Sequence, residues 1–513
     1  PPFTAMFDSR IRLAFLWALT FLPCLGGGVR AAEVLQITLG DAVQMALARN
    51  FTIQVEEYRP QIARARQLSE SGRFDPTLQI SYTYDENLQE LRTLTSTLET
   101  PTPVPGQPDP ELFALSSGQE ADASLSGRLP VGTTYSVGSS VTVDANSQRD
   151  PQFERYNTFA GINLTQPLLR NFGTDVNLAG IRIARANYSI SQWQLRQQII
   201  EVVTRTVQVY NDLYFSILNL EVEKQSKELA EQLLRDNQKR AEIGVMAPLE
   251  VVQAQTDVAA REERVLVAER EVMDNQNFLK QLITDDVAAF LDLGIVIDPP
   301  PSFLDFSPNR ERDFAMAFDL RPDYRQALLE IQKRNINVVF TRNQALPRLD
   351  LVGSLGVNGI DRDLGQSISR LGTDNRNLAW AVGTVFSVPI PNRSARGDEQ
   401  VAQLEIAQSL VDLKRLEQQI LVEVDNGAGQ IVTTRKRIDA SRAAREFAEQ
   451  TLEAGQSQLA SGTTTTFEIL QFQRDLATAR IAEIRAVTDH NKSIAEYARR
   501  TGTTLDLVRI NLE

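Results

Sequence analysis

Two hydrophobic periodicities run through this chain, one of seven residues and one of two. Ile181, Tyr188, Leu195, Val202 and Val209 recur at every seventh position, the spacing of a left-handed coiled-coil seam. That spacing predicts one helix from about Leu178 to Ile243, roughly 100 Å long at 1.5 Å per residue. Further on, Leu410, Val424, Ile431, Ile438, Leu452 and Leu459 share one register, broken by Glu417 and Arg445. The period-two segments are shorter. Leu78, Ile80, Tyr82 and Tyr84 alternate with Thr77, Gln79, Ser81 and Thr83, and Tyr135, Val137, Val141 and Val143 alternate with small or polar residues. The same holds for Leu349, Leu351, Leu355 and Val357, and for Leu378, Trp380, Val382, Phe386 and Val388. Alternation of this kind predicts strands with one apolar face.

The pattern is written twice. Asp41–Asn50 recurs as Asp313–Pro322, Phe74–Ile80 as Ala345–Leu351, Gln166-Pro167-Leu168 as Val388-Pro389-Ile390, and Gly244–Gln253 as Gly462–Gln471. The first half holds about 49 more residues between Pro76 and Pro167 than the second holds between Pro347 and Pro389. Asp298-Pro299-Pro300-Pro301 cannot continue a helix and marks the seam, giving a first repeat over 32–298 and a second over 299–513. Each repeat reads helix, strand, long loop, strand, very long helix, glycine-marked turn, helix. The strands fall at about 74–84 and 157–166, then 347–357 and 378–388; the long helices fall over 178–284 and 393–500. The surplus of the first repeat contains an extra hairpin at about 123–143, turning at Pro130-Val131-Gly132. It also contains a proline-rich stretch, Asn87 to Gly118, that reads as an exposed loop.

The amino terminus sets the compartment. Arg10 and Arg12, the apolar stretch Leu13–Leu25 and the small-residue site Val29-Arg30-Ala31 form the three parts of a secretory signal over 1–31. Cys24 stands where a lipidated cysteine would stand, but Pro23 rather than a small residue precedes it, so the favoured reading is that Cys24 leaves with the signal. Charge and composition then exclude whole classes. The 53 Lys+Arg against 66 Asp+Glu oppose nucleic-acid binding, which requires a basic patch to neutralise phosphates. One Cys and one His, His490, leave no ligand set for a Cys/His zinc site. His490 reads as a surface residue of a helix, no phosphate loop or catalytic constellation is present, and neither an enzyme nor a cofactor is expected.

Strand-like runs of nine to eleven residues, apolar on one side and small or polar on the other, fit strands that cross an outer membrane between lipid and a wet lumen. A soluble half-buried sheet alternates in the same way. The duplication, the signal and the aromatic residues Tyr84 and Trp380 near strand ends favour the membrane. Four to six strands cannot close a barrel, and an open edge in hydrocarbon leaves backbone groups unpaired at several kcal/mol each. The chain must therefore share its barrel with copies of itself.

Several short motifs, each weak alone, occur in one duplicated order. They are Ile37-Thr38-Leu39 followed by Ala42, Ala46, Leu47 and Asn50; the strand openers at Pro76 and Pro347; Leu164-Thr165-Gln166-Pro167-Leu168-Leu169; and Gly244…Gln253-Ala254-Gln255 with Gly462…Gln471-Phe472-Gln473. Together they resemble the TolC family of outer-membrane efflux proteins over about residues 37–505. The resemblance implies an α+β membrane protein, a homotrimer whose twelve-stranded outer-membrane β-barrel continues as a periplasmic α-helical barrel. It implies a passive exit duct of a tripartite efflux or type I secretion system, working with a periplasmic adaptor (membrane fusion protein) and an inner-membrane pump of RND or ABC type. The extra hairpin departs from four strands per chain.

The resemblance also implies roles at the helical turns. Gly244-Val245 and Gly462-Thr463 would be adaptor-docking tips, and Glu250 with Gln253 and Glu468 with Gln471 would form an acidic and polar gate ring around the lumen. Both pairs also have a local explanation, since Thr465 and Glu468 have the spacing of a capping box and Pro248 suits a first helical position. A structural periplasmic coiled-coil protein and a specific outer-membrane porin are the rival readings.

Overall fold

The computed structural model describes residues 34–90, 113–146, 154–286, 294–301, 306–373 and 377–507. The expected signal segment, with Cys24, and the middle of the proline-rich stretch lie outside the described residues.

The chain begins with β1 (Val34–Ile37), α1 (Leu39–Arg49) and α2 (Phe51–Ser71), then enters a sheet with β2 (Thr77–Glu90), β3 (Phe113–Arg128), β4 (Thr134–Asn146) and β5 (Glu154–Pro167). A single turn, α3 (Thr174–Asn177), leads into α4 (Ala179–Glu242) and, after a tight reversal, α5 (Pro248–Ile283). Strand β6 (Gly294–Ile297) closes the first repeat, and the second runs α6 (Arg310–Leu320), α7 (Pro322–Gln344), β7 (Arg348–Asp361), α8 (Leu364–Thr373), β8 (Leu378–Ser387), α9 (Arg393–Ala460), α10 (Thr466–Thr501) and α11 (Thr504–Leu507).

Six strands form one sheet in the order β2-β3-β4-β5-β7-β8, every pair antiparallel. The extra hairpin is longer than its alternation suggested, and it lies inside this sheet between β2 and β5 rather than apart from it. Both ends of the stretch read as an exposed loop are strand, because β2 continues to Glu90 and β3 begins at Phe113. Long ladder pairing overrides local composition there. Residues paired directly across strands share a face, and one such row is Leu78, Leu125, Val137, Ile162, Leu355 and Trp380. A neighbouring row on the other face is Gln79, Ser124, Gly138, Gly161, Gly356 and Ala379. The apolar row is exposed at the outer strands, where Leu78 keeps 67% and Trp380 71% of its surface.

The short helix α8 was not foreseen from sequence. It folds back on β5 and β7, where Ser367 is fully buried and its hydroxyl lies 2.9 Å from that of Thr158.

Below the sheet the helices stand four abreast. Near the sheet α4 packs on α2 and α7, and α7 packs on α9. Towards the far end α5 and α10 take the places of α2 and α7, so that α5, α4, α10 and α9 are neighbours. Midway, β1 and β6 pair in parallel, and with α1 they bury Ile37, Val43, Val203, Tyr210, Leu213 and Leu279 in one core. Tyr210 Oη donates to the carbonyls of Ile37 (2.9 Å) and Asp298 (2.8 Å). The second repeat answers with Tyr497, whose hydroxyl donates to Asp313 at 2.7 Å. Asp41 and Asp313, equivalent in the repeat, each accept from the backbone N–H that opens their helix, at Thr38 (3.2 Å) and Asn309 (2.9 Å).

Candidate functional site: the paired helical tips

The end of the molecule far from the sheet consists of two reversals, α4 to α5 and α9 to α10. Gly244 has φ +80° and Gly462 φ +75°, the left-handed region that glycine enters without a Cβ penalty. The bonding is the same in both. Gly244 N–H donates to Ala241 O and Val245 N–H to Arg240 O, both at 3.0 Å; Gly462 N–H donates to Leu459 O (3.2 Å) and Thr463 N–H to Gln458 O (3.0 Å). This is the Schellman closure, which satisfies the last carbonyls of a helix. A Cβ at either glycine would meet open space, so the conformation, not crowding, calls for glycine.

The two tips differ in chemistry. The first is apolar and open, with Ile243 74%, Val245 70% and Leu249 65% exposed. The second is a run of hydroxyls, Thr463 to Thr466, joined by Ser461, whose Oγ lies 3.1 Å from Thr463 Oγ1.

Glu250 and Glu468 occupy equivalent places in the first turns of α5 and α10 but have different partners. Glu468 is exposed and closes on its own turn as a capping box: the Thr465 hydroxyl accepts from Glu468 N–H (3.3 Å) while the carboxylate accepts from Thr465 N–H (3.2 Å) and the Thr464 hydroxyl. Hydrogen bonds from Thr464 and then Thr465 hold its carboxyl below the usual carboxylate range. Glu250 is half-buried and accepts from the Thr466 hydroxyl of the other repeat at 2.8 Å. Thr466 in turn lies 3.4 Å from the amide of the buried Asn237 on α4. Gln253 and Gln471 are both exposed. The tips thus meet at Thr466, a residue that sequence reading passed over as part of a threonine run.

A second tie lies one helical turn or more above. Arg261 is fully buried, with Asp257 at 2.6 Å and the Ser226 hydroxyl at 2.7 Å. Burial pushes its guanidinium below the ordinary value, with Asp257 opposing the shift. Arg474 of α10 approaches the same Asp257 at 3.8 Å.

His490 is 1% exposed, which corrects its reading as a surface residue. The register of α10 turns it towards α9, where Nδ1 lies 2.9 Å from Thr434 Oγ1, while Asp489 and Lys492 carry the half-exposed ion pairs of that stretch. No group of three or more potential metal-binding side chains occurs among the described residues, and no helix among them is long and apolar enough to cross a membrane.

Known proteins resemble this arrangement throughout. The crystal structure of the Campylobacter jejuni CmeC outer membrane channel superposes with a TM-score of 0.64 at 17% identity, covering 91% of this chain and 86% of that one. The outer membrane protein VceC from Vibrio cholerae gives 0.63 at 15% identity, covering 90% and 96%. The open state of the Neisseria gonorrhoeae MtrE outer membrane channel gives 0.61 at 16% identity, covering 91% and 89%. At this identity the likeness speaks for the fold. A search of curated protein sequences returns no match. The family model described as outer membrane efflux protein matches residues 117–284 and 315–499, well over half of the sequence, and the chain therefore belongs to the outer membrane efflux protein family, whose members are transport conduits rather than enzymes.

Proposed function

We propose that this efflux channel is the exit duct of a tripartite efflux or type I secretion system: a homotrimer whose sheets close into one outer-membrane barrel and whose helices continue it as a tube through the periplasm. The observation that carries this reading is the pair of open sheet edges. Among the described residues, strands β2 and β8 each have one neighbour within the chain, and their exposed apolar side chains continue the outward row. Unpaired backbone in lipid costs several kcal/mol per group, so copies must supply the missing strands. Because the sheet holds an even number of antiparallel strands, β8 of one copy meets β2 of the next antiparallel, and the ring closes without a parallel seam.

In this reading the chain has no energy source of its own. A periplasmic adaptor docks at Gly244-Val245 and Gly462-Thr463, and an inner-membrane RND or ABC pump drives transport. Glu250, Gln253, Glu468 and Gln471 surround the narrow end; like charges gathered near one axis favour cations over anions.

The test is membrane fractionation of the expressed protein. A heat-dissociable trimer in the outer membrane supports the duct, and a soluble periplasmic monomer overturns it. Deletion should abolish efflux of several compounds without loss of one nutrient's uptake, which separates the duct from a specific porin. Photo-crosslinking from Thr463 should capture the adaptor.

A further inference from the structure

The hairpin β3–β4 changes what the barrel is. Its turn is fixed at the junction of sheet and helices: Gly173 N–H donates to Val131 O at 3.1 Å, and Leu129 N–H to Thr133 O at 2.8 Å. Gly132, at φ +103°, sits so close that a Cβ would come within 2.3 Å of Asn171 O and 2.9 Å of Asn177 Nδ2. Asn177 is itself held by the carbonyls of Asn171 (2.8 Å) and Gly173 (2.9 Å). The hairpin therefore spans the sheet down to the top of α4, paired with β2 on one side and β5 on the other. It contributes Leu125 and Val137 to the apolar row and Ser124 and Gly138 to the row of mostly small residues on the other face.

Width points the same way. Four helices abreast at an interaxial spacing of 8–10 Å occupy about 32–40 Å of arc. Six strands about 4.8 Å apart and tilted about 40° occupy about 38 Å, whereas four occupy about 25 Å. With six strands per chain the sheet covers the arc of its own helices at ordinary tilt; with four it would need a much steeper one.

We infer that the barrel has eighteen strands, six from each of three copies, in place of the twelve that the family resemblance implies. Resting on the trimeric duct proposed above, this gives a backbone diameter of about 36 Å rather than about 24 Å at the same tilt. The outer-membrane section is then no narrower than the tube beneath it, and restriction of flow falls to the helical tips.

Cysteine pairs in the full-length chain test this in isolated outer membranes, because Cys24 is the sole native cysteine. Gln79→Cys with Ser124→Cys, and Ser136→Cys with Asn163→Cys, are direct partners in the six-stranded sheet. Both pairs should form disulfides within one chain. Thr77→Cys with Asn163→Cys should not, since three strand spacings separate them by about 14 Å, beyond disulfide reach. A disulfide in that third pair, or none in the first two, overturns the eighteen-strand barrel. Ile80→Cys scanned against Leu378→Cys, Trp380→Cys and Val382→Cys reports the β2–β8 contact between copies. Covalent dimers and trimers there keep the duct whatever the hairpin does, and their absence brings down the duct itself.

Discussion

The Thr466 hydroxyl donates to the Glu250 carboxylate at 2.8 Å, and with the Asn237 amide 3.4 Å from the same hydroxyl it joins the tip of the first repeat to the tip of the second. Its repeat equivalent is missing, because the position matching Thr466 is Pro248, which has no hydroxyl to donate, and Glu468 instead accepts from Thr464 and Thr465 of its own turn. Duplication has thus produced two acids at matching places, one tying helical hairpins together and one capping a helix.

The gate assignment predicts that Glu250→Ala combined with Glu468→Ala raises single-channel conductance and lowers cation preference in planar bilayers. Thr466→Val should raise conductance with a smaller change in selectivity, since it loosens the tie and leaves both charges. Unchanged conductance and selectivity in the double variant would remove these residues from the gate.

Acidity offers a separate reading of Glu468. Its carboxyl is held below the ordinary glutamate value by the hydrogen bonds from Thr464 and Thr465, so the charged form and the cap it makes are complete above the ordinary value and are lost only as pH falls through the lowered pKa. The share of cation preference due to Glu468 should hold from pH 7 to pH 5 and decline below. Reversal potentials of wild type and Glu468→Gln compared over that range check it; a difference that vanishes by pH 5 contradicts the assignment.

Asp257→Ala leaves the fully buried Arg261 without its carboxylate. Breaking a buried pair from one side costs about 3–5 kcal/mol, and the loss should appear as a lower temperature of helix melting. Replacing Asp257 and Arg261 together by Leu and Met should recover part of it. Equal melting of wild type and Asp257→Ala would count against the pair as a support of the tip.

Tyr210→Phe removes a hydroxyl shared by two backbone carbonyls and should cost about 1–2 kcal/mol. Burial pushes the Tyr210 hydroxyl up to about 12. Its contribution is therefore complete below the unfolded value of 10.0 and lost as pH rises through the folded one. Melting temperatures of wild type and Tyr210→Phe should converge between pH 10 and 12, and a constant gap would refute the linkage.

The seven-residue seam shows how far sequence reaches in this fold. Val424, Ile431, Ile438 and Leu452 of the second repeat's register are buried within one chain, yet Leu410 of the same register stays 48% exposed. The pattern marks a helix face, and the contacts within one chain cover only part of it. At the tips the glycines announced the turns, because positive φ has a compositional signature. Thr466 carried none: its partner lies 216 residues away, and a threonine within a threonine run has no local mark. The hairpin's alternation was readable, but its place in the sheet was not, since strand order depends on what Gly132 touches rather than on its neighbours in sequence. His490 was misjudged because its polar flanks, Asp489 and Lys492, belong to another face of the helix.

Two helices, α4 with 64 residues and α9 with 68, run unbroken from the sheet to the tips, while the helices beside them come in two pieces, α2 then α5 and α7 then α10. A continuous rod backed by a split one bends most easily at the split. The compliance of each chain therefore lies midway along it, at the level of β1, β6 and α1. A pull on the tips is absorbed there, and the sheet can stay still while the far end of the molecule moves.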